Sequence, residues 1–173
     1  MRPEPGQVLH FSENPGLTAF VPHVAATAQQ PEAYVWAVDA EHAPSYWFPR
    51  DCPRVLAWPR AETTDADRRL LSGARVHAIE YGWLPALRSV RLYAYRFDAE
   101  AFEPFGAPPY AMVATRPVTP LGPAEPVGDL LALHEAAGIQ LRLVANLWAF
   151  MDEVAASTLG FSGIRLRYAA PRK

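Results

Sequence analysis

The chain has 173 residues, half of them hydrophobic and 20% charged, with a formal net charge of −2. This length suits one domain over residues 1–173 around one core, and the composition is globular, neither disordered nor membrane-embedded. A protein that grips a phosphate backbone carries a basic excess, which is missing here, and no apolar run reaches bilayer-spanning length, so neither a nucleic-acid nor a membrane partner is expected.

The single cysteine, Cys52, rules out an internal disulfide framework, and Met1 to Gln7 is polar and proline-rich with no secretion signal. A cytoplasmic location is the expectation by elimination. Eighteen prolines, about twice the average share, are scattered in short clusters. Each interrupts regular structure, which predicts short strands joined by shaped loops and not a helical bundle.

In chain order, Val8 to Phe11 reads as a first strand and Ser12 to Gly16 as a turn. Leu17 to Val21 fits either a helical turn or a short strand, and residues 23–32 a mobile loop. Tyr34 to Val38, β-branched and aromatic, is a strand. Asp39 can cap a helical stretch from Ala40 to about Phe48, stopped by Pro49 and Pro53. Val55 to Trp58 is another strand. Thr63-Thr64-Asp65 starts a helix with Gly73 as its C-terminal cap. Val76 to Glu80 is a strand, Trp83 to Leu87 a helical turn, and Val90 to Phe97 the clearest strand, alternating Val90, Leu92 and Ala94 against Arg91, Tyr93 and Tyr95.

Tyr110 to Thr115 follows as a strand, and Pro117 to Pro126 as a bend. Val127 to Ala137 is a helix stopped at Gly138, and Leu141 to Val144 a strand. Leu147, Phe150, Met151 and Val154 recur at helical spacing, marking an amphipathic helix that closes at Gly160. Ile164 to Tyr168 alternates as a last strand, with Arg165 and Arg167 on one face. The pattern predicts an α+β fold of mostly antiparallel strands, with helices concentrated in the C-terminal third, rather than βαβ winding.

Candidate site residues cluster early. His10 and Ser12 stand at a strand end, where binding groups are commonly presented; a hydrogen-bonded core histidine is the alternative. The run from Val35 to Phe48 holds Trp36, Tyr46, Trp47 and His42, aromatics able to wall a planar ligand or to form core. Arg50 and Arg54 flank Asp51, which suits either a clamp on a phosphate-like group or an internal ion pair. Cys52 beside these arginines is either a reactive thiol or a buried inert one. Glu80 ends an otherwise apolar strand; burial there suits a general base, whereas a solvent-facing position does not. No glycine-rich phosphate loop, CxxC or HExxH is present. A metal gathered by His10, His42 and Cys52 is a further alternative with no matching zinc spacing.

The segments LHFSENP at 9–15, VWAVDAEHAPSYWFPRDCPR at 35–54 and FSGIRLRYA at 161–169 resemble a bacterial family of unknown function, over essentially the whole chain. A remoter likeness is to ADP-ribosyltransferase-like domains, including small rifampicin-modifying transferases. Leu9-His10-Phe11-Ser12 is similar to their opening strand, and Val35 to Asp39 followed by Ala43 to Trp47 to their aromatic strand and short helix. Trp36 stands where tyrosine is usual, and the strand at Tyr110 to Thr115 lacks the carboxylate of the third motif. That resemblance implies NAD as cofactor, His10 on the ribose, Tyr46 or Trp47 on the nicotinamide, and Glu80, Asp98 or Glu103 as the acid. Two functions follow as expectations: an NAD-dependent transferase with His10, Tyr46 and Glu80 at its centre and Ser12, Trp36, Trp47, Arg50 and Arg54 around the ligand, or a non-catalytic module for a nucleotide or other anionic small molecule.

Overall fold

A computed structural model describes residues 1–24 and 31–172. Its elements in chain order are β1 (Gln7–Ser12), β2 (Val35–Ala37), β3 (Arg54–Trp58), α1 (Asp65–Arg68), β4 (Arg75–Glu80), α2 (Leu84–Ser89), β5 (Tyr93–Asp98), β6 (Glu103–Phe105), β7 (Ala111–Ala114), β8 (Glu125–Pro126), α3 (Leu130–Ala136), β9 (Ile139–Val144), α4 (Leu147–Ala155) and β10 (Gly160–Ile164). Short 3₁₀ turns lie at Ala43–Tyr46, Tyr81–Trp83, Ala99–Ala101 and Leu166–Tyr168. The fold is α+β with mostly antiparallel strands, and its two longest helices, α3 and α4, fall late in the chain. Among the described residues no helix is long and apolar enough to cross a membrane. The loop expected over 23–32 falls largely on residues 25–30, which lie outside the described residues.

The chain sorts into two compact units, Met1–Trp47 with Arg91–Gly128 and Phe48–Val90 with Asp129–Lys173. In the first, one sheet has the order β1-β5-β8 and a second β2-β7-β6. Tyr95 and Phe97 of β5 join Val8, Phe20, Val35 and Phe102 in the core. The face of β5 that enters this core is the aromatic one, where the rings of Phe20 and Tyr95 meet edge to face at 5.0 Å, as do those of Phe20 and Phe97; Ala94, on the other face, is buried as well. The Tyr95 hydroxyl cannot be buried without partners, and it has two: it donates to the Asn14 carbonyl at 2.7 Å and accepts the Leu17 N–H at 2.9 Å. That phenol ties down the turn after β1. Leu17 to Val21 forms no regular element; Phe20 instead bridges Val118 through reciprocal backbone bonds of 3.0 and 2.9 Å. β5 begins at Tyr93 rather than Val90, since Val90 closes α2 and the Leu92 carbonyl accepts the Val127 N–H at 2.9 Å.

In the second unit the sheet order is β10-β3-β4-β9, antiparallel apart from the parallel pair β4–β9. Alternation splits the sheet into two faces. Val55, Ala57, Val76 and Ala78 pack with Leu147, Phe150 and Val154 of α4. Leu56, His77 and Ile79 point to the other face, where His134 of α3 meets His77. Both helices start at a side-chain cap: Asp129 accepts the N–H groups of Leu131 and Ala132 at 2.8 and 3.2 Å, and Asn146 that of Trp148 at 3.0 Å. α3 stops where Gly138 takes φ +64°.

Further helix and strand boundaries differ from the sequence expectation. α1 lasts one turn and ends well short of Gly73, because none of its residues is buried and a short helix without an apolar face has nothing to hold it. The stretch after Asp39 shortens to the 3₁₀ turn at Ala43–Tyr46. The last strand is β10, not 164–168: Arg165 at φ 57° turns the chain into a 3₁₀ turn, so Arg165 and Arg167 share no strand face. Gly160 is the first residue of β10 instead of a helix stop, and it lets β10 approach Trp58, whose indole nitrogen would lie 2.4 Å from any Cβ there.

Glu80 is 7% exposed and its carboxylate accepts the Leu147 N–H at 3.1 Å and the Ala170 N–H at 3.0 and 3.1 Å. It therefore closes the first turn of α4 and holds the C-terminal segment. We expect Glu80→Ala to lower stability by about 1–3 kcal/mol in urea unfolding, because one buried and one part-buried donor lose their acceptor; a change below about 0.5 kcal/mol would show that solvent replaces it.

Candidate functional site

The first unit contains a hollow built by two strand ends and a turn. Leu9 and Val38 exchange backbone hydrogen bonds, both 2.8 Å, so β1 is clamped beside the end of β2. Leu9 is fully buried, and alternation puts His10 on the opposite face, the one it shares with buried Val8, where it is half-buried towards the strand end. His10 Nδ1 donates to the Trp36 carbonyl at 2.8 Å. A carbonyl only accepts, so in the neutral ring the proton sits on Nδ1 and the lone pair on Nε2. The His10 ring also packs edge-on against Phe20 at 5.0 Å.

Trp36 is half-buried, with its indole edge to face against Phe105 at 4.9 Å and Tyr34 at 5.7 Å. Tyr46 ends the 3₁₀ turn. Upstream, the Asp39 carboxylate accepts both the backbone N–H and the Nδ1–H of His42 at 2.8 Å, which fixes the approach to that turn. The hollow has a volume of about 70 Å³, is open to solvent, and is lined by Leu9, His10, Phe11, Trp36, Ala37, Val38, Tyr46 and Ala111. His10, Trp36 and Tyr46 thus share one cavity.

The other nominated residues lie elsewhere in their packing. Ser12 is 6% exposed and its hydroxyl accepts the Asn14 N–H at 3.1 Å, stabilising the turn after β1. Trp47 is 2% exposed, and its indole N–H donates to the Met1 carbonyl at 3.0 Å. Arg50, Arg54 and Glu80 belong to the second unit. Arg50 is exposed. Arg54 is 3% exposed, with its guanidinium over the Phe48 ring at 4.9 Å and a hydrogen bond donated to the Cys52 carbonyl at 2.9 Å. The Cys52 thiol is buried, and burial pushes its pKa up to about 12 against the pull of Arg54, so it stays protonated at neutral pH. Among the described residues no three or more His, Cys, Asp or Glu side chains gather as they would round a metal ion.

Two residues that the sequence reading passed over stand out in the second unit. His77 of β4 and His134 of α3 are buried, with His77 Nδ1 3.0 Å from His134 Nε2. The available signal was weak: His134 follows Leu130 by four positions on a helix, and His77 sits between Val76 and Ala78 in a strand. Either pattern alone describes an ordinary core histidine.

Comparison with curated proteins and with solved structures returns no match. Residues 9–169 match a family of unknown function (DUF6886), and the chain belongs to that family.

Proposed function

We propose that the hollow between His10, Trp36 and Tyr46 is a binding pocket for one planar ring of a nucleotide-like small molecule, with NAD, ADP-ribose and their component rings as the candidate ligands. The observation that carries this reading is the convergence of an imidazole, an indole and a phenol on a single solvent-open cavity. Flat aromatic walls reward a flat ligand through dispersion and quadrupole contact. A volume of about 70 Å³ is well below that of ordinary ligand pockets, so the hollow takes one ring at most and leaves the rest of a dinucleotide in solvent.

Binding is favoured over ADP-ribosyl transfer on chemical grounds. Transfer develops positive charge on the ribose carbon, and a carboxylate must stand close to stabilise it. Among the described residues the lining of the hollow offers no carboxylate, and Glu80 spends its oxygens on the N–H groups of Leu147 and Ala170.

Titration with NAD, nicotinamide and AMP, followed by tryptophan fluorescence, tests the pocket. We expect at least one of the three to quench Trp36. Trp36→Ala should weaken that ligand by about 1–3 kcal/mol, the usual worth of one base–aromatic stack. No response to any of the three would dispose of the nucleotide reading, and steady nicotinamide release from NAD would replace binding with turnover. His10→Ala separates a ligand contact from a core role. It should abolish ring binding while costing about 1 kcal/mol of stability, the worth of its bond to the Trp36 carbonyl; unchanged affinity would remove His10 from the pocket chemistry.

A further inference from the structure

His77 and His134 are 0% and 1% exposed, and their hydrogen bonds have a forced direction. His134 Nδ1 lies 2.7 Å from the Leu130 carbonyl, so that nitrogen carries the proton. His134 Nε2 is then an acceptor and takes the Nδ1–H of His77 at 3.0 Å. The remaining nitrogen, His77 Nε2, is buried with a lone pair and no hydrogen-bond partner. A proton added to His134 Nε2 would break the bond between the rings, and one added to His77 Nε2 would leave both bonds in place but put a charge at a buried nitrogen that has no acceptor. Phe48 covers the two rings at 5.6 and 5.0 Å.

The charged groups acting on the pair are cations. Arg54, whose guanidinium lies over Phe48, and Arg75, whose guanidinium lies over Trp58, both disfavour a proton on His77. Across the parallel ladder from His77 stands Leu141. The nearest acid on α3, Glu135, and Arg88 of α2 are exposed. Glu80 is three positions from His77 on β4 and so faces the opposite side of the sheet, where it is committed to Leu147 and Ala170. The Cys52 thiol stays neutral.

We propose that the His77–His134 pair is a proton-operated latch that holds α3 on the sheet of its unit at neutral pH and lets it go on acidification. The nitrogen open to a new proton, His77 Nε2, is buried with no protein acceptor in reach, and an imidazolium there would be disfavoured by the guanidiniums of Arg75 and Arg54. Moving the charge to His134 leaves it equally buried. Release of the helix exposes both rings to solvent and removes the penalty. The two buried residues of α3 are Leu130 and His134, so the latch supplies half of its anchorage. α4, on the opposite face, is anchored by Leu147, Phe150 and Val154, none of which titrates.

Burial first, then His134 and the guanidiniums of Arg75 and Arg54, hold the His77 pKa well below the ordinary 6.5. Burial also lowers that of His134, partly opposed by its bond to Leu130. Released rings protonate near 6.5 and latched ones only at lower pH. The latch is therefore at full strength above about pH 6.5 and weakens as pH falls from there towards the lowered values. Each pH unit in that window multiplies the release equilibrium about tenfold per histidine.

Amide hydrogen exchange on the full chain at pH 7.5 and 5.0, expressed as protection factors, reads the latch directly. We expect protection of α3 to fall about 10- to 100-fold more than that of α4. Equal loss in both helices, or no loss in α3, overturns the proposal. The double variant His77→Phe/His134→Leu should make α3 protection independent of pH. Should that variant not fold, nitrogen-15 spectra of the wild-type imidazoles still decide: the proposal requires both rings neutral with protons on Nδ1 at pH 7.5. A pair that titrates near 6.5 with α3 still protected refutes it.

Discussion

The hollow depends on the two hydrogen bonds between Leu9 and Val38. They join the strand that carries the imidazole to the end of the strand that carries the indole, and they set which residues of each point inward. Because strand side chains alternate, a slip of one residue would carry His10 off the face it shares with Val8, away from Phe20 and the Trp36 carbonyl, and put a neighbouring residue there in its place. The register of β1 on β5, with Leu9 opposite Arg96 and His10 opposite Tyr95, is enforced separately by the apolar residues Val8 and Phe97. Two independent constraints thus agree on the orientation of one histidine, and the His10 bond to the Trp36 carbonyl follows from both.

Much of the strand pattern was legible in the residues. β1, β2, β3, β4 and β7 lie within a residue or two of their expected ranges, because β-branched and aromatic runs bounded by proline and glycine leave few other options. The helix α3 was legible through its leucines and the Gly138 stop, and α4 through its apolar spacing, although its end at Ala155 was not. Failures came where a long-range partner outweighs local preference. Nothing near Ile139 announces a parallel partner at Arg75, and nothing near Glu103 announces the edge strand β6. The candidate site divides the same way. Residue type and position at strand ends singled out His10, Trp36 and Tyr46. Type alone could not show that the Trp47 indole finds the Met1 carbonyl, or that Arg54 lies over Phe48, since those fates depend on distant backbone.

The two units handle buried polarity differently. The first satisfies its interior with neutral groups: the Tyr95 phenol and the Ser12 hydroxyl each serve a nearby turn. The second takes ionisable side chains into its core, with Arg54, His77, Glu80 and His134 all under 10% exposed. A buried carboxylate is tolerable when backbone N–H groups surround it, and Glu80 has that arrangement. A buried imidazole is tolerable when neutral, and the His77–His134 chain keeps both rings so. The cost of this solution is a core whose integrity depends on protonation state, which apolar packing alone does not impose.

The order in which the chain visits the units has a consequence for biosynthesis. The polypeptide passes from the first unit to the second, back to the first, and again to the second. The sheet of the second unit gains β9 and β10 from a stretch that is made long after β3 and β4 have emerged. Until then β4 exposes an unpaired edge and β3 lacks its outer neighbour. Ends so far apart in sequence close slowly, because the loop between them must be ordered before any contact compensates. Neither unit can be cut out as one continuous fragment, so a gene truncated anywhere between β3 and β9 encodes open sheet edges in place of a smaller working protein.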